Sequence, residues 1–223
     1  MMGVPHRAWM RLPSGRRLDL INPDPAAWLD SDLALKLART YRWGGESTWP
    51  LPLSVAQHSL LVLALRQQWN NTPLSPADAL LELLHDAEEG FLGFDCISPL
   101  KEVLGLSFRA VSSRLMAAVF ERYELRTWAP DSHTVHKRAD SIAAASEAVH
   151  CAGWTEHEVR AVLGITHPIL DADPLASIYE CHPWEPWPAD VAAERFLEAL
   201  NMLLEAIRNQ NEDQTSTPGL PDE

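Results

Sequence analysis

LLHDAEEGFLG, residues 83–93, sets a leucine-rich run directly against four ionisable side chains, His85, Asp86, Glu88 and Glu89. Leu80, Leu81 and Leu84 form an apolar stripe, which predicts a helix with one buried face. Buried charge is costly unless something compensates it. The helix therefore either surfaces into solvent or carries its charges to a cation. The spacing predicts one helix from about Pro76 to Gly90, with Pro76 in its first turn and Gly90 and Gly93 as its stop. Acidic residues near a helix C-terminus oppose the macrodipole, so the solvated end is slightly unfavourable.

Outward from this stretch the pattern is helical almost throughout. SDLALKLART predicts a helix over residues 30–41, capped by Asp30 or Ser31. Ser54 is placed to cap SVAQHSLLVLALRQQW. SPLKEVLG predicts a short helix and SFRAVSSRLMAAVFERYEL a longer one. A further helix spans about 131–151, TEHEVRAVLG gives a short one, and PADVAAERFLEALNMLLEAIRN is amphipathic. RLPSGRRLDLIN reads as a small hairpin or extended lead-in turning at Ser14-Gly15. The remaining stretch before residue 188 is rich in Pro and Trp and reads as irregular. The fold class expected is all-α, a compact helical bundle in one domain over residues 1–210 with its core in 30–152. Residues 211–223, NEDQTSTPGLPDE, are expected to be a disordered acidic tail.

Composition narrows the function classes. With 223 residues, 46 % hydrophobic and 22 % charged, the chain is globular. A net charge of −13 argues against duplex nucleic acid as partner. No apolar run approaches the roughly 20 residues of a membrane span, and MMGVPHRAWMRLPSGRR lacks the apolar centre of a signal peptide. Cys96, Cys151 and Cys181 have no framework spacing, which suits a reducing, cytoplasmic setting.

Three helices then contribute one chemistry. His58 shares the inward face of its helix with Val55, Ser59 and Val62. His85 and Asp86 follow, with Glu89 four residues after His85 and able to reach a water on the same ion. Asp140 precedes a run of alanines, where a carboxylate needs a partner. Each alone reads as an ordinary core or surface residue. Together they form a mixed imidazole–carboxylate set suited to one divalent transition metal, Mn2+, Co2+, Zn2+ or Fe2+ more than Mg2+, with positions open for water and substrate.

The order AQHS, LLHDAEEG and KRAD resembles the HD-domain metal-dependent phosphohydrolases. YRW, HDAEEG and SPLK resemble more closely the bacterial 5′-deoxynucleotidases and phage deoxynucleotide triphosphohydrolases of that class, over about residues 41–151. The resemblance implies a compact HD-type bundle holding its ion by His58, His85, Asp86 and Asp140. It implies proton handling by Glu89, phosphate and nucleoside contacts by Arg42 and Trp43, sugar recognition by Asp95 and a phosphate contact by Lys101. The related proteins read Gly-Asp where this chain has Gly93-Phe94-Asp95, which leaves the sugar preference open.

The expected activity is hydrolysis of a deoxynucleoside 5′-monophosphate to nucleoside and phosphate. Alternatives are a dNTP triphosphohydrolase, a guanosine-tetraphosphate-type hydrolase, and a nucleotide-binding regulator without turnover. Trp43 or Trp49 could stack on a base. His133 and His136 are expected to face solvent, and Glu88 to be solvated or ion-paired. Exposed apolar faces near Trp69 and over 107–123 suggest a homo-oligomer, a dimer foremost.

Overall fold

The computed structural model describes residues 8–69 and 73–215. The chain is mostly α-helical with one small hairpin. In the hairpin, β1 (Trp9–Arg11) pairs antiparallel with β2 (Arg17–Asp19), Met10 opposite Leu18, and turns at Gly15 with φ +87°. Leu12 and Leu18 bury its inner face. Its turn is tied to α1 (Asp30–Ala38) by Asp32, which is fully buried. The Asp32 carboxylate accepts hydrogen bonds from Ser14 N (2.7 Å), Ser14 Oγ (2.7 Å) and Leu29 N (2.9 Å). Leu29, not Asp30 or Ser31, is therefore the cap position, with Asp32 supplying the acceptor one turn in.

α2 (Val55–Trp69) is the central element, packed by α1, α3 (Pro76–Leu83), α6 (Pro130–His150), α8 (Pro174–Tyr179) and α9 (Ala189–Thr215). Residues 55–66 are buried on every side, as expected of a helix apolar all round. Ser54 Oγ accepts the Gln57 N–H and starts the helix as predicted. One continuous core joins Leu12 in the hairpin to Leu200 in α9, with Trp28, Phe91 and Phe196 its largest fully buried side chains.

The helix predicted over 76–90 is two. Ser75 caps α3, which ends at Leu83, and α4 (Ala87–Leu92) starts after a break at Leu84, His85 and Asp86. Its cause is a side chain. His85 Nδ1 donates to the Glu82 carbonyl at 2.8 Å, the acceptor that the Asp86 amide would use in a continuing helix. Gly90 does not stop the helix; it lies inside α4, where a Cβ would meet Leu37 Cγ at 3.0 Å. Its role is the close approach of α4 to α1. Gly93, with φ +82°, is the terminator.

α5 (Ser98–Arg122) contains a non-helical joint at Gly105, φ +67°, which divides it near the two helices expected. Leu100–Arg122 is long and apolar enough to span a membrane by length and composition alone, although the expectation was that no run would be. Lys101, Arg109 and Arg114 interrupt that run and hid it. Beyond α6, α7 (Glu156–Ala161) carries the predicted short helix behind a Thr155 cap. The Pro- and Trp-rich stretch adds α8, capped by Asp173. α9 continues through Thr215, so the first five residues of the expected disordered tail are helical. Residues 216–223, the rest of that tail, lie outside the described residues, as do 1–7 and 70–72.

Candidate metal centre

The break between α3 and α4 faces α2 and α6. His58 on α2 is fully buried, and its Nδ1 pairs with Glu147 Oε1 at 2.7 Å. Its other nitrogen, Nε2, lies 3.3 Å from Asp140 Oδ1 and 3.7 Å from Asp86 Oδ2. His85 repeats the arrangement, with Nδ1 on the Glu82 carbonyl and Nε2 3.2 Å from Asp86 Oδ2. Both Nε2 atoms are buried and make no hydrogen bond of good geometry. Donor atoms of His58, His85 and Asp86 all lie within 4.8 Å of one another.

This donor set fits a divalent cation. Each Nδ1 is committed to an acceptor, which turns the lone pair of Nε2 toward the carboxylates. Two orphaned imidazole nitrogens beside two carboxylates make a costly cluster unless a positive charge sits among them. Without a metal that charge is a proton. Burial and Arg42 lower the pKa of His58, but Glu147 and Asp140 outweigh them and push it up to about 10. Burial also opposes charging of His85, and neighbouring Asp86 still raises it. Burial would raise Asp86 and Asp140; His85 and His58 respectively hold them well below the ordinary carboxylate range. Asp140 Oδ2 also accepts from Lys137 at 2.8 Å.

Around this centre the remaining candidates assemble unequally. Glu89 on α4 is buried, with Oε1 accepting from Lys101 Nζ at 3.3 Å and Oε2 without a partner among the described residues. Burial, then Asp86 and Asp95, pushes its pKa up to about 9. Lys101 stands at the rim, its side chain 41 % exposed. Arg42 is buried; its Nε donates to Glu147 Oε2 at 2.8 Å and Nη1 lies 3.6 Å from Asp95 Oδ2. Phe94 turns out beside Phe108 with ring centroids 6.0 Å apart, while Asp95 turns in to Arg42. Trp43, Gly44 and Gly45 all have left-handed backbone (φ +58°, +66°, +85°). The non-glycine member costs about 1–3 kcal/mol, and this turn delivers Arg42 to the centre. The Trp43 ring packs 6.2 Å from that of Trp154 and 5.7 Å from the Arg42 guanidinium. Trp49 is a packing anchor, its Nε1 donating to the His150 carbonyl.

Two expectations are corrected. Glu88 is not solvated: Oε1 accepts from Ser112 Oγ at 3.2 Å, Oε2 is buried without a partner, and burial lifts its pKa to about 7. His133 is exposed as expected, but His136 is buried. Its Nδ1 donates to Glu82 Oε2 at 2.8 Å, and its ring lies 4.9 Å from that of His85.

Glu147, Arg66 and Glu82 escaped the sequence reading, and His136 was placed in solvent. Glu147 joins His58 to Arg42; it sits seven residues after Asp140, the same-face spacing that could have flagged it. Arg66, Glu82 and His136 form a second buried cluster behind His85. His136 is four residues before Asp140 on one face of α6, and Glu82 three before His85, a helical spacing in sequence although the chain breaks at 84–86.

No family model matches the chain. A protein of Rhodobacter capsulatus, described only as uncharacterized, is 40 % identical over 166 residues, which covers 74 % of this chain and 83 % of that one. The helical frame that carries this centre thus belongs to a protein family whose members include that Rhodobacter capsulatus protein.

Proposed function

We propose that the chain is a metal-dependent phosphohydrolase of the HD-domain type acting on nucleotides, a deoxynucleoside 5′-monophosphate foremost. The observation that carries this reading is the pair of buried, unpartnered Nε2 atoms of His58 and His85 facing Asp86 and Asp140. A divalent cation held by those four residues would supply a Lewis acid for a phosphoryl oxygen and lower the pKa of a bound water. Glu89, held protonated at neutral pH by burial, can exchange a proton with the attacking water or the leaving oxygen. Arg42 and Lys101 offset phosphate charge, the first buried, the second half-exposed at the rim. Asp95, fixed against Arg42, is placed to accept from a sugar hydroxyl, and Trp43 to bound the base side.

A nucleotide panel with Mn2+ or Co2+ tests the reading. The expected product is inorganic phosphate from deoxynucleoside monophosphates. Tripolyphosphate from dNTPs would favour the triphosphohydrolase, and pyrophosphate from guanosine tetraphosphate the third enzyme reading. Binding without any product would leave a nucleotide-binding regulator and sink the enzyme.

The chain is proposed to work in the cytoplasm as a dimer, without membrane attachment. Cys96, Cys151 and Cys181 are free thiols. Only 17 % of the most apolar window of α5 is buried, and Val103 and Leu106 are about four-fifths exposed. Arg109 and Arg114 fall within that helix and make a bilayer a costly environment. Ile97, Leu100, Val103, Leu104 and Leu106 form a patch of the kind that marks association. Light scattering is expected to give twice the 24.9 kDa chain mass, falling to the single-chain value in Val103→Glu/Leu106→Glu. A wild-type mass of one chain would overturn the dimer.

A further inference from the structure

The buried charges behind His85 take no part in the chemistry above. Glu82 is fully buried, and both carboxylate oxygens are engaged: Oε1 by Arg66 Nε from α2, Oε2 by His136 Nδ1 from α6 at 2.8 Å. Arg66 Nη2 also donates to Ser132 Oγ at 3.3 Å, and Trp128 stacks on His136 with centroids 4.3 Å apart. Two members of this clamp lie on helices that carry a proposed ligand, Arg66 on α2 with His58 and His136 on α6 with Asp140; Glu82 lies in the last turn of α3, three residues before His85 in the break that follows.

Glu82 has a second task through its main chain. Its carbonyl accepts the Nδ1–H of His85 at 2.8 Å, which presents Nε2 to Asp86. A carbonyl at a helix end is ordinarily free to tilt, since its intrahelical partner is missing. Here the side chain of the same residue is pinned from two helices, so the peptide cannot tilt. The His136 ring meets His85 at 66°, edge to face, and blocks rotation of the imidazole.

We propose that Glu82 is a positioning residue: clamped by Arg66 and His136, it fixes the orientation of His85 and holds the end of α3 in register with the two ligand-bearing helices, α2 and α6. For metal affinity this rests on the proposed metal centre; for the His85 ring it does not. Groups that orient a metal-binding histidine typically change metal affinity by about 10- to 100-fold.

The experiment uses the full chain labelled with 15N-histidine. In metal-free wild type, the His85 Nδ1–H signal is expected to resist exchange with water. In Glu82→Gln, which keeps the shape but loses the charge, that signal is expected to exchange at least tenfold faster, and Co2+ affinity to fall about 10- to 100-fold. His136→Phe, which leaves the Arg66 pair in place, should move both readouts the same way by less, and stands in if Glu82→Gln does not fold. Leu80→Ala, a core truncation on the same helix, controls for simple destabilisation and should move neither. Unchanged exchange in the folded clamp variants overturns the proposal, as does an equal change in Leu80→Ala. A wild-type chain that binds no Co2+ overturns the metal reading alone, and the His85 signal still decides the role of Glu82.

Discussion

Replacing His85 with alanine is expected to abolish uptake of divalent metal and, with it, nucleotide hydrolysis, while the helical bundle stays folded. His85 sits in the break between α3 and α4, not inside a packed helix, and its Nδ1 donates to the Glu82 carbonyl. Losing that bond costs about 1 kcal/mol. Removing its Nε2 takes one donor from a four-residue set and leaves Asp86 with no imidazole at 3.2 Å. The same substitution at His58 is expected to behave differently. His58 is fully buried in the central helix and holds Glu147, which in turn holds Arg42. His58→Ala should therefore lose metal and also unfold several degrees lower, because Glu147 is left with an unpaired buried oxygen. Elemental analysis of the purified variants, phosphate release and thermal unfolding by circular dichroism check all three points. Full metal content and turnover in His85→Ala would remove this residue from the site.

The contrast between the two histidines bears on what could be read from sequence. α2, α6, α9 and the hairpin follow from local rules: apolar spacing, Ser54 as cap, Ser14-Gly15 as turn. The break at residues 84–86 does not, because LLELLHDAEEG carries an uninterrupted helical pattern. What ends α3 is the His85 imidazole competing for the Glu82 carbonyl, a side-chain event that spacing does not encode. Gly90 misled for a related reason. Glycine inside a pattern signals either a stop or a close approach, and only Leu37 on α1 decides between them.

Within the site, the legible residues were those whose type is unusual for its place: a histidine on an apolar face, a His-Asp pair after leucines, an aspartate before alanines. Three of them, His58, His85 and Asp86, bring donor atoms within 4.8 Å of one another, and Asp140 Oδ1 lies 3.3 Å from His58 Nε2. Glu147, Glu82 and Arg66 were not legible, since a lone charge on a helix ordinarily faces water, and their burial depends on partners 16 to 105 residues away. His136 was misplaced on the same ground: its buried partner Glu82 lies 54 residues earlier. Arg42 was legible as a residue but not in its state, already paired with Glu147 and Asp95.

Glu89→Gln is expected to keep the metal and lose the reaction. Glutamine has nearly the volume of glutamate, and its amide oxygen can still accept from Lys101, so α4 and the rim of the site should hold. What it cannot do is exchange a proton. Glu89 is 1 % exposed, one oxygen has no partner, and burial beside Asp86 and Asp95 lifts its pKa to about 9. A carboxyl kept protonated near neutral pH, four residues from His85, is matched to general acid–base work. Loss of such a group lowers turnover about 100- to 10,000-fold. Because Glu89 is assigned no ground-state phosphate contact, KM should stay within a few-fold. Lys101→Met should divide the other way, raising KM several-fold with kcat less affected, since a half-exposed ammonium contributes attraction for phosphate before and during the reaction alike. Steady-state kinetics on both variants at fixed Co2+, with metal content measured in the same samples, read the split directly. If Glu89→Gln retained turnover within threefold of wild type, proton transfer would have to be assigned to another group at the centre.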